Sequence, residues 1–244
     1  MKPHRPIFLF TDFGYSGPYV GQMTAAILAV SPGIRVVNLM HDAPMMQPRP
    51  AAYLLAACCA GLPADVIVVA VVDPGVGGER DALVVRSHGL TLVGPDNGLL
   101  SRVPGLSSAE RIDWRPGNLS ASFHGRDLFG PVAAMLAAGR EVPSTRLSSV
   151  GSIQGAGWPK ELPAIVYVDA YGNLMTGVSG KKLLKNKKIK VSGLAIPHAE
   201  TFCRVPAGDL FWYVNSLGLV EIAVNRGSAA AVLSLALGDR ILLD

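Results

Sequence analysis

The sequence predicts an α/β N-terminal domain with a largely parallel sheet flanked by helices, followed by a small all-β, barrel-like C-terminal domain. The first observation is Val66–Val72, an unbroken run of apolar, mostly β-branched residues, which is typical of a strand buried on both faces. The second is the alternation of strand-like and helix-like segments before it. The third is a change beyond Pro163 to short strand-like segments separated by Gly, Asn and Ser turns.

The N-terminal segments predict the order β-α-β-α-β. Ile7–Thr11 indicates a strand, and Pro18 is typical of the first turn of a helix that runs to about Val30 with Ser16 or Gly17 as its cap. Because crossovers between parallel strands are right-handed, these segments form a parallel sheet with helices on its faces. The remaining members are a strand over Ile34–Leu39, a helix from Pro48 to Ala60 and a strand over Asp65–Val72.

Downstream, Ala82–Arg86 and Leu90–Val93 predict a hairpin, and the apolar segment Gly125–Ala138 predicts a helix. Residues 151–163 are rich in Ser, Gly and Pro, and we interpret them as a linker between an α/β domain, residues 1–150, and a β domain, residues 164–244. The strand candidates of the second domain are Ile165–Val168, Lys187–Val191, Phe211–Val214, Leu219–Val224 and Arg240–Leu243.

The composition is that of a folded, mildly basic protein. The 244 residues are 50% hydrophobic and the net charge is +4, which by itself does not indicate nucleic-acid binding. Three cysteines without metal-ligand spacing, no signal peptide and no apolar stretch of membrane-spanning length predict a reduced, cytoplasmic protein without a membrane partner. The lysine-rich segment 181–190 lacks interleaved aromatic residues, so we interpret it as a solvated hairpin rather than an RNA or membrane patch.

Four polar residues stand where predicted strands or loops meet turns: Asp12, Asp73, Asp96 and His124. The carboxyl ends of parallel strands share one edge of a sheet, so we expect these side chains to converge there. Each of them alone is more typical of a turn or a helix cap. Their joint placement is what indicates a site.

The glycine-rich loop DPGVGGER lies between Asp73 and Arg80. It lacks the Gly-Lys-Ser/Thr ending of a Walker loop, and a strand rather than a helix follows it, which disfavours nucleotide-phosphate binding. Two interpretations stay open: an ion pair across a tight turn, or a carboxylate and a guanidinium directed at a small polar molecule or water. His124 precedes a helix N-terminus and is the best-placed general base or water-orienting group. His41, beside the same edge, is open between packing and function.

The C-terminal domain has its own group of polar residues. Asp169, Tyr171 and Asn173 follow a strand, and Ser216 and Glu221 lie around another turn. They suit either turn chemistry or a polar rim with aromatic stacking for a purine.

Seven segments together resemble one family. They are TDFG at 11–14, PYVGQM at 18–23, VDPGVGGER at 72–80, GPDNGLL at 94–100, FHGRDLFGP at 123–131, DAYGNLMTG at 169–177 and NSLGLVEIAVNRGSAA at 215–230. Each is weak alone, but all seven in this order are specific. The chain resembles the S-adenosyl-L-methionine (SAM) hydroxide adenosyltransferase family, which is related to the fluorinase and chlorinase enzymes.

The resemblance implies hydrolysis of SAM by water to adenosine and methionine, without a metal or a cofactor. It also implies a homotrimer whose sites lie between neighbouring chains. The family's hydrolases carry an Asp–Arg–His catalytic triad, which falls here on Asp73, Arg80 and His124. The halogenases have a Tyr in place of Asp73, so the resemblance favours water over halide as the nucleophile.

The resemblance also suggests substrate-binding residues. They are Asp12 for the ribose hydroxyls, Tyr171 and Asn173 for the adenosine pocket, Ser216 and Asp169 for the methionine end, and the backbone at Arg226 for adenine. Glu221 joins this set from the polar rim described above. Where halogenase-type pockets place Trp, this chain has Met46 and Met175.

Three other functions stay open at this point. A halide transferase would form a 5′-halo-adenosine from SAM, although Asp73 argues against it. A metal-dependent hydrolase would use Asp12, Asp73, Asp96 and His124 as ligands and would lose activity in EDTA. A non-catalytic sensor of SAM or adenosine would bind its ligand and release no methionine.

Overall fold

A seven-stranded sheet forms the centre of the first of two units, Met1–Trp158. The computed structural model describes residues 4–182, 189–191 and 193–243. The strands of this sheet are β1 (Ile7–Thr11), β2 (Val36–Met40), β3 (Val66–Val71), β4 (Ala82–Ser87), β5 (Leu90–Pro95), β6 (Leu106–Ile112) and β7 (Ser144–Arg146). The helices are α1 (Tyr19–Val30), α2 (Pro48–Cys59) and α3 (Gly130–Ala137), the last preceded by a π-helical turn over Gly125–Phe129.

The sheet is mixed, which corrects the expectation of a largely parallel one. Its order is β2-β1-β3-β5-β4-β6-β7. The first three pairs of neighbours are parallel and the last three are antiparallel. The sequence does not reveal β6 and β7, because β6 carries Ser, Glu and Arg where β-branched residues would indicate a strand and β7 has only three residues.

The topology brings the ends of β1 and β3 together. The chain steps in opposite directions from β1 to β2 and from β2 to β3, so right-handed crossovers place α1 and α2 on opposite faces. On the α1 face, Met23 and Ile27 pack with Ile67 of β3 and with α3. Thr11, the last residue of β1, is paired in register with Val71, the last of β3. Asp12 and Asp73 therefore leave the sheet at the same edge.

Two helix starts differ from the sequence prediction. Pro18 precedes α1, and no side chain caps that helix, so neither Ser16 nor Gly17 acts as the cap. The helix predicted over Gly125–Ala138 begins as a π-helical turn, in which the Gly130 N–H reaches the Gly125 carbonyl five residues back. Pro131 follows and has no N–H for an α-helical bond, which favours this wider turn.

The segment expected as a linker makes specific contacts with the first unit. The Gln154 N–H donates to Asp96 Oδ1 at 2.8 Å, and the Arg102 guanidinium donates to the carbonyls of Ala156 and Trp158 at 3.0 and 2.6 Å. The indole of Trp158 also lies under the guanidinium of Arg49, at 5.6 Å. Residues up to Trp158 therefore belong to the first unit.

In the described part of the second unit, Pro159–Asp244, two antiparallel sheets share an apolar core. Its sheet orders are β12-β13-β9-β8 and β11-β10-β14. The elements are β8 (Leu162–Val168), β9 (Leu174–Ser179), β10 (Ile189–Val191), β11 (Leu194–Ile196), β12 (Leu210–Val214), β13 (Leu219–Val224), α4 (Ala229–Leu233) and β14 (Leu242–Leu243). Trp212 and Ile222 of the larger sheet pack with Ile189 and Ile196 of the smaller one.

The sequence reveals most of these strands but not β9 or β11. In β9, Gly177 looks like a turn residue, yet a Cβ at this position would lie 2.7 Å from the Leu162 Cβ. A glycine here permits close strand packing. Of the strand expected at Lys187–Val191, the first two residues lie outside the described residues, as does most of the lysine-rich segment 181–190. Within the described ranges, no helix has the length and apolar character needed to cross a membrane.

Candidate active site

The shared edge of β1 and β3 opens into a cavity of about 660 Å³. Asp12 and Asp73 line it from the two strand ends, and His124 lines it from the residue before the π-helical turn. Three of the residues that the sequence singled out thus converge, as expected for the carboxyl end of parallel strands.

Asp73, Arg80 and His124 form a continuous hydrogen-bonded chain. Arg80 Nε donates to both Asp73 oxygens at 3.1 Å, and Arg80 Nη2 donates to Asp73 Oδ2. The same Nη2 lies 2.9 Å from His124 Nδ1. The Asp73 side chain is only 3% exposed, so this ion pair is largely removed from solvent. The arrangement joins an anion, a fixed cation and an imidazole, and the anion and the imidazole line the cavity.

The contact with Arg80 fixes the tautomer of His124. A guanidinium has no acceptor, so Nδ1 must accept, and the proton of a neutral imidazole then lies on Nε2. Burial, and then the charge of Arg80, lower the pKa of His124, while Asp73 opposes this shift. His124 is therefore neutral near pH 7, and Nε2–H is the group left for a bound water.

The loop that carries Arg80 is held by close contacts. Gly77 has φ +80, and a Cβ there would lie 2.3 Å from the Ala121 carbonyl oxygen, so the position requires glycine on both counts. The Arg80 guanidinium also lies 5.3 Å from the centroid of the Phe129 ring, a cation–π contact. The glycine-rich loop therefore positions a guanidinium, in agreement with the absence of a phosphate-binding motif in its sequence.

Asp12 forms a second polar group in the cavity. Its Oδ2 accepts the Met46 N–H at 2.9 Å. Burial is the main cause that raises the pKa of Asp12; the Met46 N–H opposes it, and the nearby Asp73 charge adds to it. Met46, one of the two positions where the halogenases have Trp, thus contributes its backbone to the site and lines the cavity with its side chain.

Aromatic residues form an apolar wall that the sequence analysis did not single out. The rings of Phe13, Tyr19 and Phe123 contact one another with centroids 5.5 to 6.1 Å apart. Arg126, paired with Asp127, lies over the Phe123 ring at 5.0 Å. The available signal was the position of Phe13 and Phe123 inside the motifs that also carry Asp12 and His124. Such a wall suits an organic ligand with a cationic centre.

Asp96 does not join the other three residues. It is absent from the cavity lining, and its Oδ1 accepts the Gln154 N–H instead. Among the described residues, no three His, Cys, Asp or Glu side chains are arranged to hold a metal ion. The four-ligand metal site considered from the sequence is therefore not assembled in the described part of the chain.

The second unit gathers Asp169, Tyr171 and Asn173 into one turn. Asp169 Oδ1 accepts the backbone N–H groups of Tyr171 and Asn173 at 2.9 and 2.8 Å, and Oδ2 accepts Asn173 Nδ2 at 2.9 Å. Asn173 is buried, whereas the Tyr171 ring is 79% exposed. The turn therefore presents an aromatic ring to the outside.

Glu221 lies beside this turn, within electrostatic reach of Asp169. It is 1% exposed and accepts hydrogen bonds from Tyr213 Oη and Asn215 Nδ2 at 2.5 and 2.7 Å. Burial raises the pKa of Glu221, and these two donors oppose the shift. Ser216 and Arg226 are both exposed, and Arg226 has a left-handed backbone with φ 58.

Both units match one family of known proteins. Residues 7–146 match the SAM hydroxide adenosyltransferase N-terminal domain, and residues 163–242 match the C-terminal domain of the same family. A protein of Thermus thermophilus named (R)-S-adenosyl-L-methionine hydrolase is 36% identical, over 95% of this chain and 96% of its own. Proteins of the same name from Salinispora arenicola and Salinispora tropica are 36% and 34% identical, over 95% and 99% of this chain and 94% and 98% of theirs.

Solved structures agree with this relationship. An uncharacterized conserved protein from Thermotoga maritima superposes with a TM-score of 0.86 at 30% identity, covering 96% of this chain and 98% of its own. A conserved hypothetical protein from Thermus thermophilus gives 0.78 at 34% identity, covering 98% and 100%. From its matches over both units, the chain belongs to the SAM hydroxide adenosyltransferase family.

Proposed function

We propose that this protein hydrolyses S-adenosyl-L-methionine to adenosine and L-methionine, with water attacking the ribose C5′. The observation that carries the proposal is the hydrogen-bonded chain Asp73–Arg80–His124, whose two ends line a cavity that Asp12 also lines. The names of relatives that match nearly the whole chain support the same reaction.

The proposed step is an in-line displacement. The water oxygen forms a bond to C5′, the bond from C5′ to sulfur breaks, and its electron pair stays on a neutral thioether, the methionine sulfur. Negative character on the nucleophile and positive charge on the sulfonium both shrink toward the transition state, which a site with few waters and fixed dipoles favours. The sulfonium is already an activated leaving group, so we propose that no metal or cofactor takes part.

The hydrogen bonds suggest separate roles for the three catalytic candidates. Asp73 Oδ1 accepts one hydrogen bond, from Arg80 Nε, and keeps a lone pair for a water proton. His124, with its proton on Nε2, donates to the water oxygen and orients it. Arg80 holds both groups in place and balances the Asp73 charge. We therefore assign the proton acceptor to Asp73 and the orienting role to His124.

We further propose that Asp12 binds the ribose hydroxyls. One oxygen of its carboxylate is occupied by the Met46 N–H, and the other is left for a ligand in the cavity. In the second unit, the remaining substrate contacts fall on the residues that the resemblance and the polar rim suggest: Asp169, Tyr171, Asn173, Ser216, Glu221 and Arg226. The exposed Tyr171 ring is available for stacking on adenine.

The proposed assembly is a homotrimer in the cytoplasm, with each site between neighbouring chains and with barrel-like second units. Tyr19, Met45 and Met46 support this assembly, because they line the cavity yet remain exposed in the single chain. Exposed apolar residues around a site indicate a surface that another protein surface covers. Sedimentation equilibrium gives the mass: three copies are expected, and a monomer with full activity would contradict the shared site.

The names of the relatives also suggest which stereoisomer is the substrate. In the name (R)-S-adenosyl-L-methionine, the letter L already fixes the methionine carbon, so the prefix describes the sulfonium. We propose that this protein prefers the same sulfonium epimer. Assays with the two separated epimers test this preference, and equal kcat/KM values would contradict it.

The reaction is tested by incubating the protein with SAM in water labelled with oxygen-18. Mass analysis should find one labelled oxygen at the adenosine 5′ position and an equal amount of methionine. A 5′-halo-adenosine formed in chloride or fluoride would indicate a halide transferase, and loss of activity in EDTA would indicate a metal-dependent hydrolase. Ligand binding without methionine release would leave only a sensor.

A further inference from the structure

His41 is a buried histidine that the proposed reaction does not use. It follows β2 directly and is 0% exposed. Its Nδ1 lies 2.8 Å from Thr11 Oγ1, and its Nε2 is buried without a hydrogen-bond partner among the described residues. Thr11 ends β1 and is also 0% exposed. Buried polar groups normally have hydrogen-bond partners, so a buried polar pair beside Asp12 with one unpaired ring nitrogen suggests a specific role.

The hydrogen bond between His41 and Thr11 can form in either direction. Thr11 Oγ1 accepts the Phe13 N–H at 3.3 Å and keeps both a proton and a second lone pair, so either Oγ1 or His41 Nδ1 can be the donor. Burial lowers the pKa of His41, with Asp42 opposing, in agreement with a neutral ring. The ring of Tyr15 stands perpendicular to the imidazole at 5.5 Å, an edge-to-face arrangement.

The residues held by this pair flank Asp12 on both sides. Thr11 precedes Asp12, and Phe13, whose N–H the Thr11 hydroxyl accepts, follows it. Two backbone bonds tie the same loops together: the Gly14 N–H donates to the His41 carbonyl at 2.6 Å, and the Ala43 N–H donates to the Thr11 carbonyl at 3.1 Å. The contact between the Thr11 hydroxyl and the His41 imidazole adds a side-chain hydrogen bond to these backbone bonds, and Thr11 is the residue directly before Asp12.

We propose that His41 is a positioning residue for the ribose-binding carboxylate of Asp12 and acts through the Thr11 hydroxyl. The inference rests on the proposed function, because it gives Asp12 its ligand. The imidazole holds the Thr11 hydroxyl, the hydroxyl holds the Phe13 N–H, and the backbone between them fixes the direction of the Asp12 side chain. His41 itself touches no substrate.

The test compares two ligands that differ only in the groups that Asp12 is proposed to bind. Adenosine has both ribose hydroxyls, and 2′,3′-dideoxyadenosine has neither. His41→Leu should raise the Kd of adenosine by about tenfold, the value of one hydrogen bond. The same variant should leave the Kd of the dideoxynucleoside unchanged. His41→Asn, whose side-chain amide offers both a donor and an acceptor near the place of Nδ1, should recover most of the adenosine affinity.

Two further variants keep the test decisive. Thr11→Val removes the hydroxyl at nearly constant volume and should show the same hydroxyl-selective loss, so it carries the test if His41→Leu does not fold. Ser87→Ala is the matched control. Ser87 Oγ is a buried hydroxyl that donates to the Pro104 carbonyl at the opposite edge of the same sheet, where Ser87 pairs with Leu90 at the start of β5. This control should keep the discrimination between the two ligands.

Equal weakening of both ligands by His41→Leu or Thr11→Val would reduce the pair to a structural role and overturn the inference. A wild-type protein that binds the two nucleosides equally would also overturn it, because Asp12 would then not hold the hydroxyls. Failure of the proposed function is a separate result: the wild-type protein would release no methionine from SAM, whatever its nucleoside affinities. The binding measurement and the turnover assay therefore distinguish the two failures.

Discussion

Replacing Arg80 by methionine tests whether the ion pair serves catalysis or only the fold. Arg80→Met keeps a side chain of similar length but leaves the Asp73 carboxylate, 3% exposed, without the guanidinium that donates to both of its oxygens. Removing one partner of a buried ion pair costs about 3–5 kcal/mol, because an uncompensated charge stays behind. We expect the free energy of unfolding, measured by urea denaturation at pH 7, to fall by this amount.

The same substitution should lower kcat beyond the effect on stability. It removes the donor to His124 Nδ1, a contact of 2.9 Å that fixes the tautomer and orients the ring. Loss of one preorganised donor typically lowers kcat by about 10²–10³-fold. Arg80→Lys is the matched variant: it restores the charge, but a single ammonium nitrogen does not reproduce the bidentate fork. This variant should regain most of the stability and little of the kcat.

The pKa of His124 gives an independent measure of the contact. The Arg80 charge is the second cause, after burial, that lowers this pKa, so the pKa should rise in Arg80→Met. A lowered folded-state pKa means that the unfolded chain binds the proton more readily below the ordinary value of 6.5. Wild-type stability is then lost as the pH falls through 6.5 toward the lowered pKa, and this loss should shrink in the variant.

An NMR titration of His124, together with the kinetics, decides whether Arg80 serves catalysis or only the fold. If Arg80→Met lowers stability but leaves kcat and the His124 titration unchanged, then Arg80 is a structural ion-pair partner, and the catalytic triad is refuted. If Arg80→Met changes neither the free energy of unfolding, nor kcat, nor the His124 titration, then Asp73 and Arg80 do not form a buried ion pair.

Three further predictions concern Asn97, Gly77 and Glu221. Asn97 Nδ2 donates a hydrogen bond of 2.8 Å to the carbonyl of Val72, the residue before Asp73. Asn97→Leu removes this bond and should reduce kcat about tenfold, the value of one hydrogen bond. An unchanged kcat would show that the bond does not help to position Asp73. Gly77→Ala should destabilise the protein by more than the roughly 1 kcal/mol of left-handed strain alone, because its Cβ would meet the Ala121 carbonyl. Gly139→Ala is the control: Gly139 also has a left-handed backbone, with φ +73, but an added Cβ would contact nothing, so this variant has the strain without the clash. Equal melting temperatures for the two variants would disprove the clash at Gly77. Because the pKa of Glu221 is raised, this carboxyl lowers the free energy of unfolding above its folded-state pKa, and this effect fades as the pH falls toward 4.5. Glu221→Gln should remove this pH dependence when the free energy of unfolding is measured by urea titrations. If the pH dependence is retained, it belongs to another group.

Local patterns in the sequence predicted that Asp12, Asp73 and His124 lie together. The apolar run of β3 and the acid directly after it placed Asp73 at the end of a buried strand, and β1 placed Asp12 in the same way. Two parallel strands in register then bring the two acids to one edge, which follows from topology rules alone. His124 was predicted from its place before a helix, and the structure brings it to the same cavity.

Other features depend on contacts between residues far apart in the chain, which a single sequence does not reveal. The hydrogen bond from Met46 to Asp12 uses a backbone N–H and leaves no side-chain signal. The pairing of His41 with Thr11 joins the residue after β2 to the last residue of β1, and either residue alone looks like ordinary packing. In the antiparallel half of the sheet, the β4–β5 hairpin was predicted but β6 was missed, because β6 is polar and partly exposed and its pattern does not stand out from a loop.

In the proposed reaction, Asp73 is held by Arg80 and accepts a proton from a water that His124 orients, which makes that water a nucleophile. Methionine release from SAM by Asp73→Ala, measured together with adenosine binding to the same variant, tests it most directly. We predict that release falls by about 10²–10⁴-fold, the usual effect of removing a general base, while adenosine still binds through Asp12 and Asn173. Methionine release at the wild-type rate would contradict the account.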